Sequence, residues 1–144
     1  MSLKHLNTAL VTVAGLFVVF IGARFLLMPE AAAAAFGTPE WPHGGATAYL
    51  AIKGVRDLVT GLVVLTLLLA GQRRALAWMT VVVALIPVGD AIIVLSSGGS
   101  LATALGVHLA TAVAVVVTGA LLFWETRPGT TVASPESAQV TAGR

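Results

Sequence analysis

The chain has 144 residues, of which 58% are hydrophobic and only 10% charged, against the roughly 25% charge usual in a soluble domain. The deficit extends along the whole chain, so the composition predicts a polytopic membrane protein and excludes a soluble domain with a single anchor; the length allows one compact membrane domain. The net charge of +2 comes from few residues, no basic cluster exceeds Arg73-Arg74, and cysteine is absent, which excludes nucleic acid as a partner together with disulfides, thiol-dependent quinone reduction and thiolate-held metals.

Four segments reach the roughly 20 residues needed to cross a bilayer. The first, about 6–28, follows Lys4 and His5 and stops at Pro29. Its run of about 23 residues exceeds the usual signal-peptide core, and no short cleavage region follows, so it reads as a retained helix. Next, Pro29 and Glu30, five alanines and then Phe36-Gly37 spell a short helix. It is too short to span, and lies on the membrane surface or folds over the bundle mouth. Thr38 to Gly45 reads as an irregular loop, with Trp41 suited to the interface.

The second segment, about 45–70, is broken by Gly71. The third, about 74–95, ends at Ser96-Ser97-Gly98-Gly99 and contains Pro87, which removes a backbone hydrogen bond and predicts a kink. A kink there is expected to free a carbonyl beside Asp90, useful where it lines a cavity. The fourth runs over about 100–124. From Pro128 to Arg144 the chain is rich in Pro, Gly, Ser, Thr and Ala and is expected to be a disordered cytoplasmic tail. The expected fold is therefore all-α: a four-transmembrane-helix bundle over 1–127 with a short interfacial helix between helices one and two.

Four spans put both termini and the loop between helices two and three on one side. That side holds Lys4, Arg73, Arg74, Arg127 and Arg144, whereas loops 29–45 and 96–100 hold only Glu30 and Glu40. The positive-inside rule predicts cytoplasmic termini, in a prokaryote-like inner membrane.

The organising stretch is Ala48 to Gly61, which sets Lys53, Arg56 and Asp57 inside an apolar run. A charge at that depth costs roughly 2.5–3.5 kcal/mol on insertion scales, so each needs a partner or a watery cavity. At about 1.5 Å per residue from the non-cytoplasmic side, Arg24 lies roughly 6 Å in, Asp90 roughly 8 Å, Lys53 and His108 roughly 12 Å, and Arg56 and Asp57 roughly 17–18 Å. The cytoplasmic half has no ionisable group. Shared depth predicts one polar pocket formed by Arg24, Lys53, Arg56, Asp57, Asp90 and His108. The i,i+3 and i,i+4 spacings place Lys53, Arg56 and Asp57 on one side of helix two, with Thr60 continuing it. Gly54 and Gly61 are seven apart, as are Gly15 and Gly22, an interval that lets helices approach closely.

Each residue also has a structural reading. Lys53–Asp57 and Arg56–Asp90 can be pairs that hold helices two and three in register. Arg24 can snorkel to the interface, and His108 can be a hydrogen-bonded core residue. A metal site of His108, Asp57 and Asp90 has no motif behind it; no metal and no cofactor is expected. Counting Arg24, Lys53 and Arg56 against Asp57 and Asp90 leaves one excess cation, which favours an anionic or electron-rich headgroup. A mixed Lys/Asp/His set is also suited to moving protons.

Several stretches together resemble a known family. They are Gly22-Ala23-Arg24-Phe25-Leu26-Leu27-Met28-Pro29, the alanine run ending Phe36-Gly37, Ala48-Tyr49-Leu50, and Lys53-Gly54-Val55-Arg56-Asp57. Arg73-Arg74-Ala75-Leu76, Ile86-Pro87-Val88-Gly89-Asp90-Ala91 and Gly106-Val107-His108 complete the set. Over roughly Leu6 to Trp124 the chain looks like the small bacterial and fungal membrane proteins of domain of unknown function (DUF) family 4267. A looser similarity is to the DoxX-like four-helix membrane proteins. The resemblance implies the architecture and implies that Arg24, Lys53, Arg56, Asp57, Asp90 and His108 belong to the family pattern; it implies no activity.

Four functions compete. One is a binding protein whose intramembrane pocket holds a lipid or a small amphipathic or anionic molecule. Another is a membrane enzyme, an isomerase or cyclase on a hydrophobic substrate, with Asp57 or Asp90 as acid or base, His108 as shuttle and Arg56 as charge stabiliser. The third is a transporter, which at this size would need to form a homo-oligomer and for which no inverted repeat is visible. The fourth is a structural bundle with paired charges. Phosphate-loop, dinucleotide and zinc-protease signatures are absent, and no pair of intramembrane histidines is available to hold a haem.

Overall fold

The computed structural model describes residues 2–127, and the expectation of a disordered tail from Pro128 lies outside them. Among the described residues the chain is all-helical, with no strand. Helix α1 spans Leu3–Leu27, starting at Ser2, whose hydroxyl accepts the His5 backbone N–H. Pro29 then opens α2, Pro29–Ala34, at the helix position that needs no N–H donor. A 3₁₀ turn over Gly44–Thr47 leads into α3, Ala48–Leu69. Gly71, at φ +69°, reverses the chain there: Gln72 N–H bonds back to the Leu67 carbonyl and Gly71 N–H to that of Leu68, the Schellman closure that a left-handed glycine permits.

The third expected segment is two helices, α4 over Arg73–Val83 and α5 over Leu85–Ser96. The break falls at Ala84, one turn before Pro87. Pro87 has no N–H to offer the Val83 carbonyl, and the flanking bonds, Ala84 N to Thr80 O and Val88 N to Ala84 O, stretch to 3.3 and 3.4 Å. The carbonyl that proline frees is thus Val83's, seven residues before Asp90.

The fourth segment also departs from a plain α-helix. A short α6, Leu101–Thr103, runs into a π turn over Ala104–Leu109 and then into α7, Ala110–Glu125. Within the π turn the Ala110 N–H reaches back five residues to the Leu105 carbonyl.

The helices pack through two kinds of seam. Between α1 and α3 the glycines meet antiparallel: Gly22 lies against Gly54 and Leu58, and Gly15 against Gly61 and Leu65. A Cβ on Gly22 would come within 2.7 Å of the Gly54 carbonyl oxygen, and one on Gly61 within 2.8 Å of that of Gly15. This is backbone-to-backbone packing that only small residues allow. Between α4 and α7, Gly119 accepts Val81, and Trp78 meets Phe123 edge to face at 4.8 Å. A core of Val11, Val64, Leu76, Ala77 and Leu122 closes one end of the molecule, and Phe25, Ala32, Ala33 and Leu50 pack at the other.

Large apolar side chains also face outward: Val13, Phe20, Leu27, Leu69, Leu85 and Trp78 are all exposed. Leu3–Leu27, Arg73–Ser96 and Leu101–Glu125 are long and apolar enough to cross a membrane, and the chain is built as a membrane protein. Helix α3 matches them in length, at 22 residues. It is set apart by Lys53, Arg56 and Asp57, three charges within five positions.

Candidate functional site

A cavity of about 200 Å³ lies between the helices at the α2 end of the molecule. Every long helix contributes to it: α1 through Phe17, Ile21, Arg24 and Phe25, α3 through Lys53, Asp57 and Thr60. The break and α5 supply Val83, Ile86, Pro87 and Asp90, and the fourth segment supplies His108, Thr111 and Val115. Helix α2 lies beside the cavity and adds Ala32 to its wall, with Ala35 and Phe36 following just after the helix. Arg24, Lys53, Asp57, Asp90 and His108 line one space.

Lys53 is the centre of the polar layer. Its Nζ lies 2.8 Å from Asp57 Oδ2, one turn along α3, and 3.8 Å from Asp90 Oδ2 on α5. It also stands over two rings, 5.0 Å from the Phe25 centroid and 5.1 Å from that of Phe36, both within cation–π range. An ammonium taken out of water is thus compensated by two carboxylates and two aromatic faces. The side chains of Lys53, Asp57 and Asp90 are 18%, 7% and 17% exposed.

Arg56 departs from expectation. Its side chain is 54% exposed, pairs among the described residues only with the adjacent Asp57, through Nε at 3.4 Å, and does not line the cavity. The expected Arg56–Asp90 pair does not form, and Lys53 takes that place. At 100° per residue, Arg56 is turned 100° from Asp57 on α3, enough to carry a side chain to the outer face. The charge count changes with it. Arg24 and Lys53 balance Asp57 and Asp90 in the cavity wall, so the expected surplus of positive charge is not there.

His108 is positioned by the π turn and buried. Its Nε2 lies 2.9 Å from the Phe36 carbonyl oxygen, and the rings of Phe36 and His108 meet tilted by 57° with centroids 4.7 Å apart. A carbonyl only accepts, so Nε2 carries the proton and donates. Among the described residues no hydrogen bond occupies Nδ1. π turns inside helices occur frequently at functional sites. Arg24 points its Nη2 at the Ala31 carbonyl, 3.5 Å away, and lies over the Phe20 ring at 6.0 Å. It thereby binds α2 to α1 at the rim. Among the described residues no group of three or more His, Asp or Glu side chains is placed to hold a metal ion.

A second polar cluster, at the opposite end, was not anticipated. Asn7, fully buried, donates to Glu125 Oε2 at 2.7 Å and to the Leu121 carbonyl at 3.1 Å. Arg73 reaches Glu125 Oε1 at 3.7 Å and the Thr8 hydroxyl at 2.6 Å. Phe36, whose carbonyl and ring serve the site, also went unseen. The signal for Asn7 was available: an amide inside an apolar run carries the same demand for a partner as a charge does. Nothing in the sequence marks the Phe36 carbonyl.

No curated protein and no solved structure matches the chain. The family described as Domain of unknown function (DUF4267) matches residues 15–122. That stretch takes in every cavity-lining residue named above and leaves out Asn7 and Glu125. The chain belongs to the DUF4267 family.

Proposed function

We propose that this protein binds a small amphipathic molecule within the membrane. The observation that carries the reading is the form of the cavity. Its inner reach is walled by Phe17, Val18, Ile21, Val83, Ile86 and Val115, and its outer reach by Lys53, Asp57, Asp90 and His108. An apolar tail buried in the first and a polar group on the second would satisfy both. The balanced charge favours a neutral or zwitterionic polar group over an anion. At about 200 Å³ the space is below the roughly 300–1,000 Å³ of drug-sized sites, which favours a narrow ligand such as one hydrocarbon chain.

The reading includes α3 as a fourth span. Its 22 residues reach about 33 Å, enough for a hydrocarbon core of about 30 Å. Two of its three charges, Lys53 and Asp57, face inward and pair. Both termini then share a side, and the placement of Lys4, Arg73, Arg74 and Arg127 favours the cytoplasm for it.

One observation favours a second reading, an enzyme performing acid–base chemistry. His108 holds one nitrogen fixed on Phe36 and leaves the other without a hydrogen bond among the described residues, in a cavity that also holds Asp57 and Asp90. Untargeted lipidomics on the purified full chain tests both readings. An amphipathic compound retained by wild type and lost by Val115→Phe, which fills the inner reach, supports binding. Retention that ignores this variant overturns it, and conversion of the retained compound to a product supports the enzyme.

A further inference from the structure

The two carboxylates of the polar layer are not equally satisfied. Asp57 accepts at both oxygens, from Lys53 at 2.8 Å and from Arg56 at 3.4 Å. Asp90 accepts no hydrogen bond among the described residues, and its ion pair with Lys53 is 3.8 Å long. That exceeds the roughly 2.7–3.2 Å of a hydrogen bond from nitrogen to oxygen, and a polar contact of this length has room for a bridging oxygen. The Asp90 carboxylate is also within reach. It lines the cavity, its side chain is 17% exposed, and its oxygens are not among the buried atoms that lack a partner. Around it the lining is almost wholly apolar. The space therefore suits a hydrocarbon that carries one small polar group. Phe17 and Val107 line the cavity and are each 52% exposed, so it is open at its edge to a molecule dissolved in the lipid.

We propose that the ligand is a single-chain alcohol whose hydroxyl bridges Lys53 and Asp90. This rests on the amphipathic-ligand reading and names the class of its polar group. The hydroxyl donates to the Asp90 carboxylate and accepts from the Lys53 ammonium, which has N–H groups to spare beyond the one on Asp57. A hydroxyl does both at one atom. An ether only accepts and leaves Asp90 without a donor. An ammonium only donates and sets a second cation beside Lys53, and a carboxylate meets Asp90 at like charge. From Asp90 the chain descends toward Val83 along the same wall. Seven residues at 1.5 Å each give about 10 Å, the reach of an extended chain of about eight carbons.

The test is binding of radiolabelled 1-octanol, octyl methyl ether and octylammonium to the full chain in nanodiscs, each corrected for partition into protein-free discs. Wild type is expected to hold octanol about tenfold more tightly than the ether, the lower end of what a hydrogen bond to a charged group is worth, and more tightly than octylammonium. Asp90→Ala keeps the Lys53–Asp57 bond. It is expected to weaken octanol about tenfold and to leave the ether unchanged. Octanol bound no better than the ether by wild type overturns the alcohol site and leaves water as the bridge. Octylammonium held as tightly as octanol overturns it too, as does an octanol affinity that ignores Asp90→Ala. The wild-type comparisons need no substitution, so they decide the matter if Asp90→Ala folds poorly. Binding of none of the three probes to wild type instead overturns the amphipathic-ligand reading itself.

Discussion

Lys53 reaches across the gap between α3 and α5 to place its ammonium 3.8 Å from the carboxylate of Asp90, while a shorter bond of 2.8 Å keeps it on Asp57. One cation therefore serves two anions on separate helices. Lys53→Met strands the Asp90 carboxylate and leaves Asp57 only its longer contact with Arg56, and breaking such a pair in a mostly buried layer costs about 3–5 kcal/mol. Asp90→Asn loses only the longer contact and leaves Lys53–Asp57 intact, at a cost of about 1 kcal/mol. Thermal unfolding in detergent is expected to order them wild type, Asp90→Asn, Lys53→Met. A Lys53→Met chain as stable as wild type would remove Lys53 from the centre of the layer.

The α1–α3 seam gives a contrast between two glycines. Gly22→Ala drives a methyl group into the backbone of Gly54 and Leu58, atoms that cannot rotate away. The helices must separate, and overpacking of this kind costs about 1–3 kcal/mol. Gly89→Ala meets nothing within 4 Å and is expected to stabilise α5 by about 0.5–1 kcal/mol, the helix preference of alanine over glycine. Melting temperatures of the two variants should move in opposite directions.

His108 ties down the chain that follows α2. Its Nε2 donates to the Phe36 carbonyl, the final residue before Gly37 turns the chain at φ +100°. His108→Leu leaves that carbonyl without a donor, at about 1–3 kcal/mol, and the cost falls on α2 rather than on the helix core. Amide exchange over residues 31–38 is expected to quicken by one to two orders of magnitude, with α4 and α7 unchanged. His108→Gln, which can still donate an N–H, should restore most of the protection. Uniform exchange across all helices in His108→Leu would contradict a local tie.

Much of this arrangement is legible before any coordinates. The i,i+4 interval joins Lys53 to Asp57, the seven-residue glycine intervals set the α1–α3 seam, and the alanine run between Pro29 and Gly37 becomes α2 beside the cavity. Helical spacing is coarse, however, and a single step of 100° sends Arg56 outward while Asp57 stays in. The same coarseness moved the break from Pro87 to Ala84, because proline withdraws its hydrogen bond from the preceding turn. The π turn around His108 has no pattern in Leu105-Gly106-Val107. Asn7 is an uncharged amide, and Arg73 and Glu125 fall one residue outside the expected segments 74–95 and 100–124, so none of the three stands out as a buried charge.

That overlooked cluster makes its own prediction. Glu125 is the acceptor for Asn7 and the counter-ion of Arg73, so it joins the start of α1, the start of α4 and the end of α7. Asn7 Oδ1 and Arg73 Nη1 are already buried without hydrogen-bond partners among the described residues. Glu125→Leu takes one of two acceptors from the Asn7 amide and the counter-ion from Arg73, which keeps only its bond to the Thr8 hydroxyl; leaving that charge uncompensated is expected to cost about 3–5 kcal/mol. Because the cluster lies at the end away from the cavity, an amphipathic compound that co-purifies with wild type should be retained at temperatures where the variant is folded. Replacing Asn7 and Arg73 with leucine alongside Glu125→Leu removes every stranded group and should recover most of the lost melting temperature. Failure of the triple variant to recover would mean that the cluster does more than join helix ends, and loss of the co-purifying compound in folded Glu125→Leu would show the two ends to be coupled.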